Sequence, residues 1–135
     1  MPRAEEIPGT PEEWLAYARS DLTFASLSVP AGVYYQLPCY LAQQAVEKAL
    51  KGVHLQHGWG FRYVHDLEEL ITNLRNHGLA VPDDVAEAIT LTTFAFEARY
   101  PGVQEPVTED EYREALELAT RVVRWAESQI MGNKT

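Results

Sequence analysis

Four polar side chains follow one another at helical spacing near the middle of the chain: Gln44, Glu47, Lys48 and Lys51. Side chains three and four residues apart lie on the same side of a helix, so these four are predicted to form one patch. Two lysine amines close together can bind a phosphate or an acidic partner, and the glutamine amide can add a hydrogen bond. The alternative is a surface ion pair between Glu47 and Lys51, whose acid-first order contributes only about 0.2–0.5 kcal/mol.

Two further side chains could take part in the same chemistry. Arg99 is predicted in the last turn of a helix, where the helix dipole favours a cation; its guanidinium could instead bind a phosphate or carboxylate. His65 lies at the start of a predicted helix, where it could make a structural hydrogen bond or act as a general acid. His54 and His57 lie three residues apart but lack a third ligand, so we predict no metal site and no cofactor.

The elements that must position these residues are predicted to be helices, because apolar residues recur every three to four positions along almost the whole chain. Thr10 with Glu13, and Thr108 with Glu111, have the spacing of capping boxes, which mark the starts of the first and last helices. The predicted fold is all-α, an up-and-down bundle of four long helices plus a short fifth helix. The helices are expected at about 10–28, 33–57, 65–77, 82–99 and 108–130.

Length and composition agree with a single soluble domain. The chain has 135 residues, of which 46% are hydrophobic and 23% charged. We place the domain at residues 10–131, with residues 1–9 and 132–135 as flexible termini. One cysteine, Cys39, excludes an intrachain disulfide and a multi-cysteine metal site. No apolar stretch is long enough to cross a bilayer, and no signal peptide is present, so the predicted location is cytoplasmic.

The charge balance narrows the classes of partner. A net charge of −9 repels phosphate backbones, which argues against DNA binding over a broad surface; the lack of a long apolar stretch argues against a membrane partner. A basic partner, or a nucleotide or RNA held at one local patch, stays compatible with this charge.

Four local patterns occur in order along the chain: 14–22 (WLAYARSDL), 43–51 (QQAVEKALK), 65–67 (HDL) and 98–101 (ARYP). Together they resemble the HEPN family of small helical domains. The resemblance implies a helical bundle that is usually a homodimer. In prokaryotes it also implies frequent pairing with a minimal nucleotidyltransferase as a toxin–antitoxin system. Many HEPN proteins are metal-independent ribonucleases, whose motif is an arginine followed four to six residues later by a histidine.

That ribonuclease motif is absent from this chain. Arg62 and Arg75 lie too close to the histidines that follow them, and no histidine follows Arg99. The resemblance therefore implies no catalytic residues here. The resemblance does imply a binding site for a nucleotide, a phosphate or the nucleotidyltransferase partner. This site consists of Gln44, Glu47, Lys48 and Lys51 on one helix, together with His65 and Arg99.

Three functions follow as hypotheses. The preferred one is a binding and regulatory module, one component of a toxin–antitoxin pair with a minimal nucleotidyltransferase. The second is a metal-independent ribonuclease with a non-standard arrangement of Arg99 and His65. The third is a structural homodimer without any ligand.

Overall fold

The computed structural model describes residues 1–96 and 99–132, and among these residues the only regular secondary structure is helical, with no strand. The helices are α1 (Pro11–Ala25), α2 (Gln36–Gln56), α3 (Leu67–Asn76), α4 (Asp83–Ala86), α5 (Thr93–Phe96) and α6 (Glu109–Met131), with 3₁₀ turns at Ala4–Glu6 and Glu87–Thr92. The all-α prediction is confirmed. No helix in these residues is long and apolar enough to cross a membrane.

Both predicted capping boxes are present and set the starts of two long helices. The Glu13 amide donates to Thr10 Oγ1 at 3.1 Å, and the Thr10 amide donates back to the Glu13 carboxylate at 2.8 Å. Thr108 and Glu111 repeat this arrangement before α6. Each box satisfies two backbone N–H groups that a helix start would otherwise leave unpaired.

The small side chains of α2 allow it to lie at the centre of the bundle. Ala45 and Ala49 are fully buried. At Gly52 an added Cβ would lie 3.2 Å from Trp14 Cβ and 3.1 Å from Ile130 Cδ1, so α1 and α6 both pass close to this point. Small residues permit such close helix packing because little side-chain volume separates the backbones.

The predicted fourth long helix is instead three short segments, α4, the 3₁₀ turn Glu87–Thr92 and α5. Four β-branched residues between 89 and 93 explain the difference, because they lose side-chain freedom in an α-helix. The hydroxyl of Thr90 donates to the Glu87 carbonyl, and Thr92 Oγ1 accepts from the amide of Leu67. Over residues 1–96 and 99–132 the bundle therefore has three long helices, with α3 and these short segments completing it.

The residues before α1 contact the bundle. Ile7 is buried in the core, and the Trp14 indole donates to the Pro8 carbonyl at 3.1 Å. The domain bounds 10–131 and the flexible termini stay predictions. Of the predicted tail, 133–135 lie outside the described residues, as does Ala98 of the 98–101 pattern.

Candidate functional site

The polar side of α2 is mostly buried. Glu47 and Lys51 are each only 4% exposed, and Gln43 is fully enclosed. Their ion pair forms as its i,i+4 spacing predicts, with 2.8 Å between Lys51 Nζ and Glu47 Oε2, but it lies inside the protein rather than on the surface. The cause is the segment between α2 and α3, residues 57–66, which covers this side of the helix.

Glu47 is the centre of the buried network. Its Oε1 accepts hydrogen bonds from Gln43 Nε2 at 3.1 Å and from His65 Nδ1 at 2.8 Å, and its Oε2 accepts from Lys51. Gln43 also donates to the His65 backbone carbonyl at 3.3 Å, and Gln44 donates to Gln43 at 2.7 Å. The network thus connects α2 to the residue just before α3.

The carboxylate of Glu47 is stabilised in its charged form. Burial is the largest influence and would raise the pKa, but hydrogen bonds from Lys51, His65 and Gln43 outweigh it and hold the pKa of Glu47 below its usual value. The buried carboxylate is therefore ionised near neutral pH.

Lys51 is enclosed by aromatic rings as well as by its carboxylate partner. Its Nζ lies 5.5 Å from the Phe61 ring centroid and 5.9 Å from that of Tyr63. Cation–π attraction to these rings offsets part of the loss of hydration that burial of an ammonium imposes. The sequence did not predict that either ring would lie beside Lys51, because helical spacing within α2 does not indicate where the following loop, residues 57–66, will pack.

Lys48 forms a separate, partly exposed pair. Its Nζ lies 2.6 Å from Asp21 Oδ2 on α1 and 6.0 Å from the ring centroid of Tyr17. Asp21 was not among the predicted site residues, although it belongs to the first of the four family-like patterns.

Arg99 lies at a third place, beside the start of α6. Its guanidinium makes two parallel hydrogen bonds to the Glu111 carboxylate, at 3.2 and 3.0 Å, and a third to the Glu105 carbonyl. Its backbone amide donates to Gln36 on α2. The hydrogen bond from Arg99 is the main cause that lowers the pKa of Glu111.

A cavity of about 510 Å³ adjoins Arg99. It lies between the loop of residues 99–107 and the side chains of Tyr34 and Gln36. The exposed ring of Tyr100 borders it. Arg99 is therefore a loop anchor that also lines a surface cavity.

The six predicted residues thus occupy three places. Gln44, Glu47, Lys51 and His65 belong to the network, Lys48 to the Asp21 pair, and Arg99 to the Glu111 pair. Sequence reasoning missed Gln43, although its i,i+4 spacing to Glu47 is the signal that could have found it. In the described parts of the chain, no group of three or more His, Cys, Asp or Glu side chains could hold a metal ion.

The remaining three histidines pack against aromatic rings, and the cysteine is buried. His54 is fully buried against Phe61, and burial lowers its pKa to about 4. The imidazoles of His57 and His77 both stack on Trp59, with centroid distances of 4.6 and 4.5 Å. Burial raises the pKa of Cys39 to about 12, so its thiol is protonated and a poor nucleophile at neutral pH.

Comparison with known proteins finds similarity over nearly the whole bundle. The HEPN domain family model matches residues 11–129. The crystal structure of TT1696 from Thermus thermophilus is 34% identical, with a TM-score of 0.75, over 88% of this chain and 97% of that one. The crystal structure of ST0689, an archaeal HEPN homologue, is 32% identical, with a TM-score of 0.72, and the match covers 91% of this chain and 99% of that one. No curated protein sequence matches.

Proposed function

The chain belongs to the HEPN domain family, and on that premise we propose that it is a binding and regulatory module rather than a nuclease. In this proposal it acts in the cytoplasm as a homodimer. It pairs with a minimal nucleotidyltransferase as one component of a toxin–antitoxin system.

The observation that carries the proposal is the pairing of the cations at the predicted site. Lys51 is bound to Glu47, and Lys48 to Asp21. Arg99 is likewise bound to a carboxylate of the same chain. An RNA phosphate would have to displace these carboxylates in a protein that already carries a net charge of −9. Surroundings of this kind favour recognition of a folded protein over capture of an RNA strand.

The positions of His65 and Arg99 support the same conclusion. Arg99 is fixed to α2 through Gln36, whereas His65 is fixed through Gln43 and Glu47. Gln36 and Gln43 are seven positions apart in α2, which is about 10 Å along the helix axis. An arginine and a histidine that act on one phosphodiester must both reach it, and these anchors hold them apart within one chain.

We place the nucleotide or acidic group of the partner at the cavity beside Arg99. The exposed Tyr100 ring there offers a stacking surface for a base. Lys51, being buried, is assigned to the fold and not to this contact.

One observation favours the ribonuclease as a second candidate. Glu47 hydrogen-bonds His65 Nδ1, and the His65 side chain is 55% exposed. A carboxylate in this position fixes the tautomer of an imidazole, as general acid–base catalysis requires.

Co-purification with the cognate nucleotidyltransferase tests the proposal. The tagged chain is expressed with the nucleotidyltransferase encoded beside its gene, and a nucleotidyltransferase encoded elsewhere serves as the matched control. Capture of the first alone is expected. Failure to capture it, with both proteins folded, would contradict the proposal.

An RNA cleavage assay separates the two candidates. Labelled single-stranded RNA is incubated with EDTA and with the wild type, His65→Ala or Arg99→Ala. No cleavage by the wild type is expected. Cleavage that survives EDTA and disappears in His65→Ala would establish the ribonuclease instead.

A further inference from the structure

The cavity beside Arg99 has an exposed aromatic ring on each of two sides. Tyr34, which precedes α2, borders it on one side, and Tyr100 of the loop 99–107 borders it on the other. Tyr34 is 71% exposed and Tyr100 is 63% exposed. The cavity volume of about 510 Å³ lies within the range of roughly 300–1,000 Å³ that small-molecule sites occupy. A flat ligand that enters this cavity can therefore stack on a tyrosine ring.

Hydrogen bonds hold the walls of this cavity in place. The backbone amide of Arg99 donates to Gln36 Oε1 at 3.1 Å, and the Arg99 guanidinium donates to the Glu105 carbonyl at 3.2 Å. Within the loop, the Val103 amide donates to the Tyr100 carbonyl at 3.1 Å. The cavity is therefore formed before a ligand arrives, which lowers the free energy needed to order the loop on binding.

The charges around the cavity disfavour a phosphate group. The Arg99 guanidinium is already bound by the Glu111 carboxylate, at 3.2 and 3.0 Å. Glu105 also borders the cavity, is exposed, and forms no ion pair within the part of the chain that the structure describes. One cation and two carboxylates leave one net negative charge here, on a chain whose net charge is −9. A phosphate would be repelled, whereas an uncharged ring would not.

An exposed amide supplies the hydrogen bonds that a base can use. Gln104 borders the cavity, and its side chain has no hydrogen-bond partner among residues 1–96 and 99–132. A glutamine amide offers a donor and an acceptor side by side, the pattern that pairs with N6 and N7 of adenine. An aliphatic side chain of a partner would neither stack on the tyrosines nor pair with this amide. The lining therefore favours a base over such a side chain.

We infer that this cavity binds the adenine base of a nucleoside and leaves any phosphates outside. The inference rests on the proposed function, which places a nucleotide or acidic group at the same cavity, and it names the part of the nucleotide that is bound. Adenosine should therefore bind more tightly than ATP, which is the opposite of a site built from phosphate contacts. Repulsion of the triphosphate should make this difference about tenfold at low salt and smaller as salt screens the charges.

Isothermal titration calorimetry with adenosine and with ATP tests the inference. It is done without Mg²⁺, so that the triphosphate keeps its full charge. Tyr34→Ala and Tyr100→Ala should each weaken adenosine binding at least about fivefold, because each removes a ring on which the base stacks. Tyr17→Ala is the matched control, because Tyr17 is 67% exposed and lies on α1, outside the cavity lining. The control should keep the wild-type affinity.

A second pair of variants tests the exclusion of phosphate. Glu105→Gln removes the unpaired charge and should raise the affinity for ATP about two- to threefold at low salt, while the affinity for adenosine stays the same. Glu68→Gln is its control, because it changes the net charge equally at an exposed residue that does not line the cavity. This control should leave the affinities for both ligands unchanged.

Three results would overturn the inference. They are ATP binding as tightly as adenosine, no binding of adenosine at millimolar concentration, and wild-type adenosine affinity in both cavity tyrosine variants when circular dichroism shows them folded. Capture of the nucleotidyltransferase by the wild type is measured separately. Capture without adenosine binding would contradict this inference and leave the proposed function standing. Adenosine binding without capture would support the inference and count against the proposed function.

Discussion

Replacing His54 with leucine should remove most of the acid sensitivity of folding above pH 5. The Nδ1 atom of His54 lies 2.7 Å from the Leu50 carbonyl oxygen, so it must carry the hydrogen that it donates. The Nε2 atom is buried and has no hydrogen-bond partner within the described residues. A second proton on that ring would therefore be a charged, unpaired donor inside the core.

The magnitude follows from the two pKa values of His54. Its pKa is about 4 in the folded protein against 6.5 for an unperturbed histidine. The unfolded chain thus binds the extra proton more readily, and the free energy of unfolding falls as pH drops below 6.5. Linkage gives a loss of about 2 kcal/mol between pH 7 and pH 5. Glu47, whose pKa is lowered, acts in a different range, because the stability it contributes is present above pH 4.5 and is lost only as pH falls further.

Urea unfolding at pH 7 and pH 5 measures the effect. At pH 7 His54→Leu should lie within about 1 kcal/mol of the wild type, because the Leu50 carbonyl keeps its helical hydrogen bond. Between the two pH values the variant should lose about 2 kcal/mol less than the wild type does. His57→Gln, which removes an exposed histidine at the same helix end, is the control and should keep most of the wild-type loss, because burial is the largest cause of the lowered pKa of His54 and the charge of His57 a smaller one. If the free energy of unfolding of His54→Leu fell as much between pH 7 and pH 5 as that of the wild type, the reasoning would be refuted.

Three further changes test the other buried contacts. Lys51→Met should lower the free energy of unfolding by about 3–5 kcal/mol, because Glu47 is left charged and buried; adding Glu47→Gln should recover most of this in urea unfolding. Arg99→Lys should increase hydrogen exchange about fivefold in residues 99–107, because lysine cannot form two parallel bonds to Glu111. Gly60→Ala should expose the first residues to protease, because its methyl would overlap their backbone, as timed digestion can show.

Each of these has an outcome that contradicts it. A double variant at Lys51 and Glu47 no more stable than Lys51→Met would show that the carboxylate was not the source of the loss. Equal exchange in Arg99→Lys and the wild type would remove Arg99 as the anchor of its loop. For Gly60→Ala, a digestion time course identical to that of the wild type would show that the first residues do not depend on this close contact.

The helices were predictable where local signals agreed with one another. Thr10 and Thr108 begin their helices as predicted because a capping box is a local structure, set by residues three apart. Residues 82–99 have apolar residues at helical spacing too, but the β-branched residues from Ile89 onward work against an α-helix. There, the hydroxyls of Thr90 and Thr92 take part in hydrogen bonds that stabilise the interrupted form.

The candidate site was predictable only within α2. Helical spacing correctly places Glu47 beside Lys51, since that relation depends on α2 alone. Whether the pair is exposed depends on residues 57–66, whose path is set by packing of Phe61 into the core. Charge content likewise could not reveal that Lys48 is neutralised by Asp21, because the two residues meet only through the contact between α1 and α2.

Burial of Glu47 and Lys51 has a consequence for the path of the loop that covers them. An apolar pair at these positions would pack against many loop conformations, because dispersion contacts have little directional preference. The charged pair is compatible with few loop conformations. In each of them His65 must keep its hydrogen bond to the Glu47 carboxylate, and the rings of Phe61 and Tyr63 must remain beside the Lys51 ammonium. The network is therefore expected to hold residues 61–65 in one defined position. Because that position also fixes the start of α3, the polar side of α2 helps to specify the fold. The spacing of its polar residues alone had predicted a site on the surface.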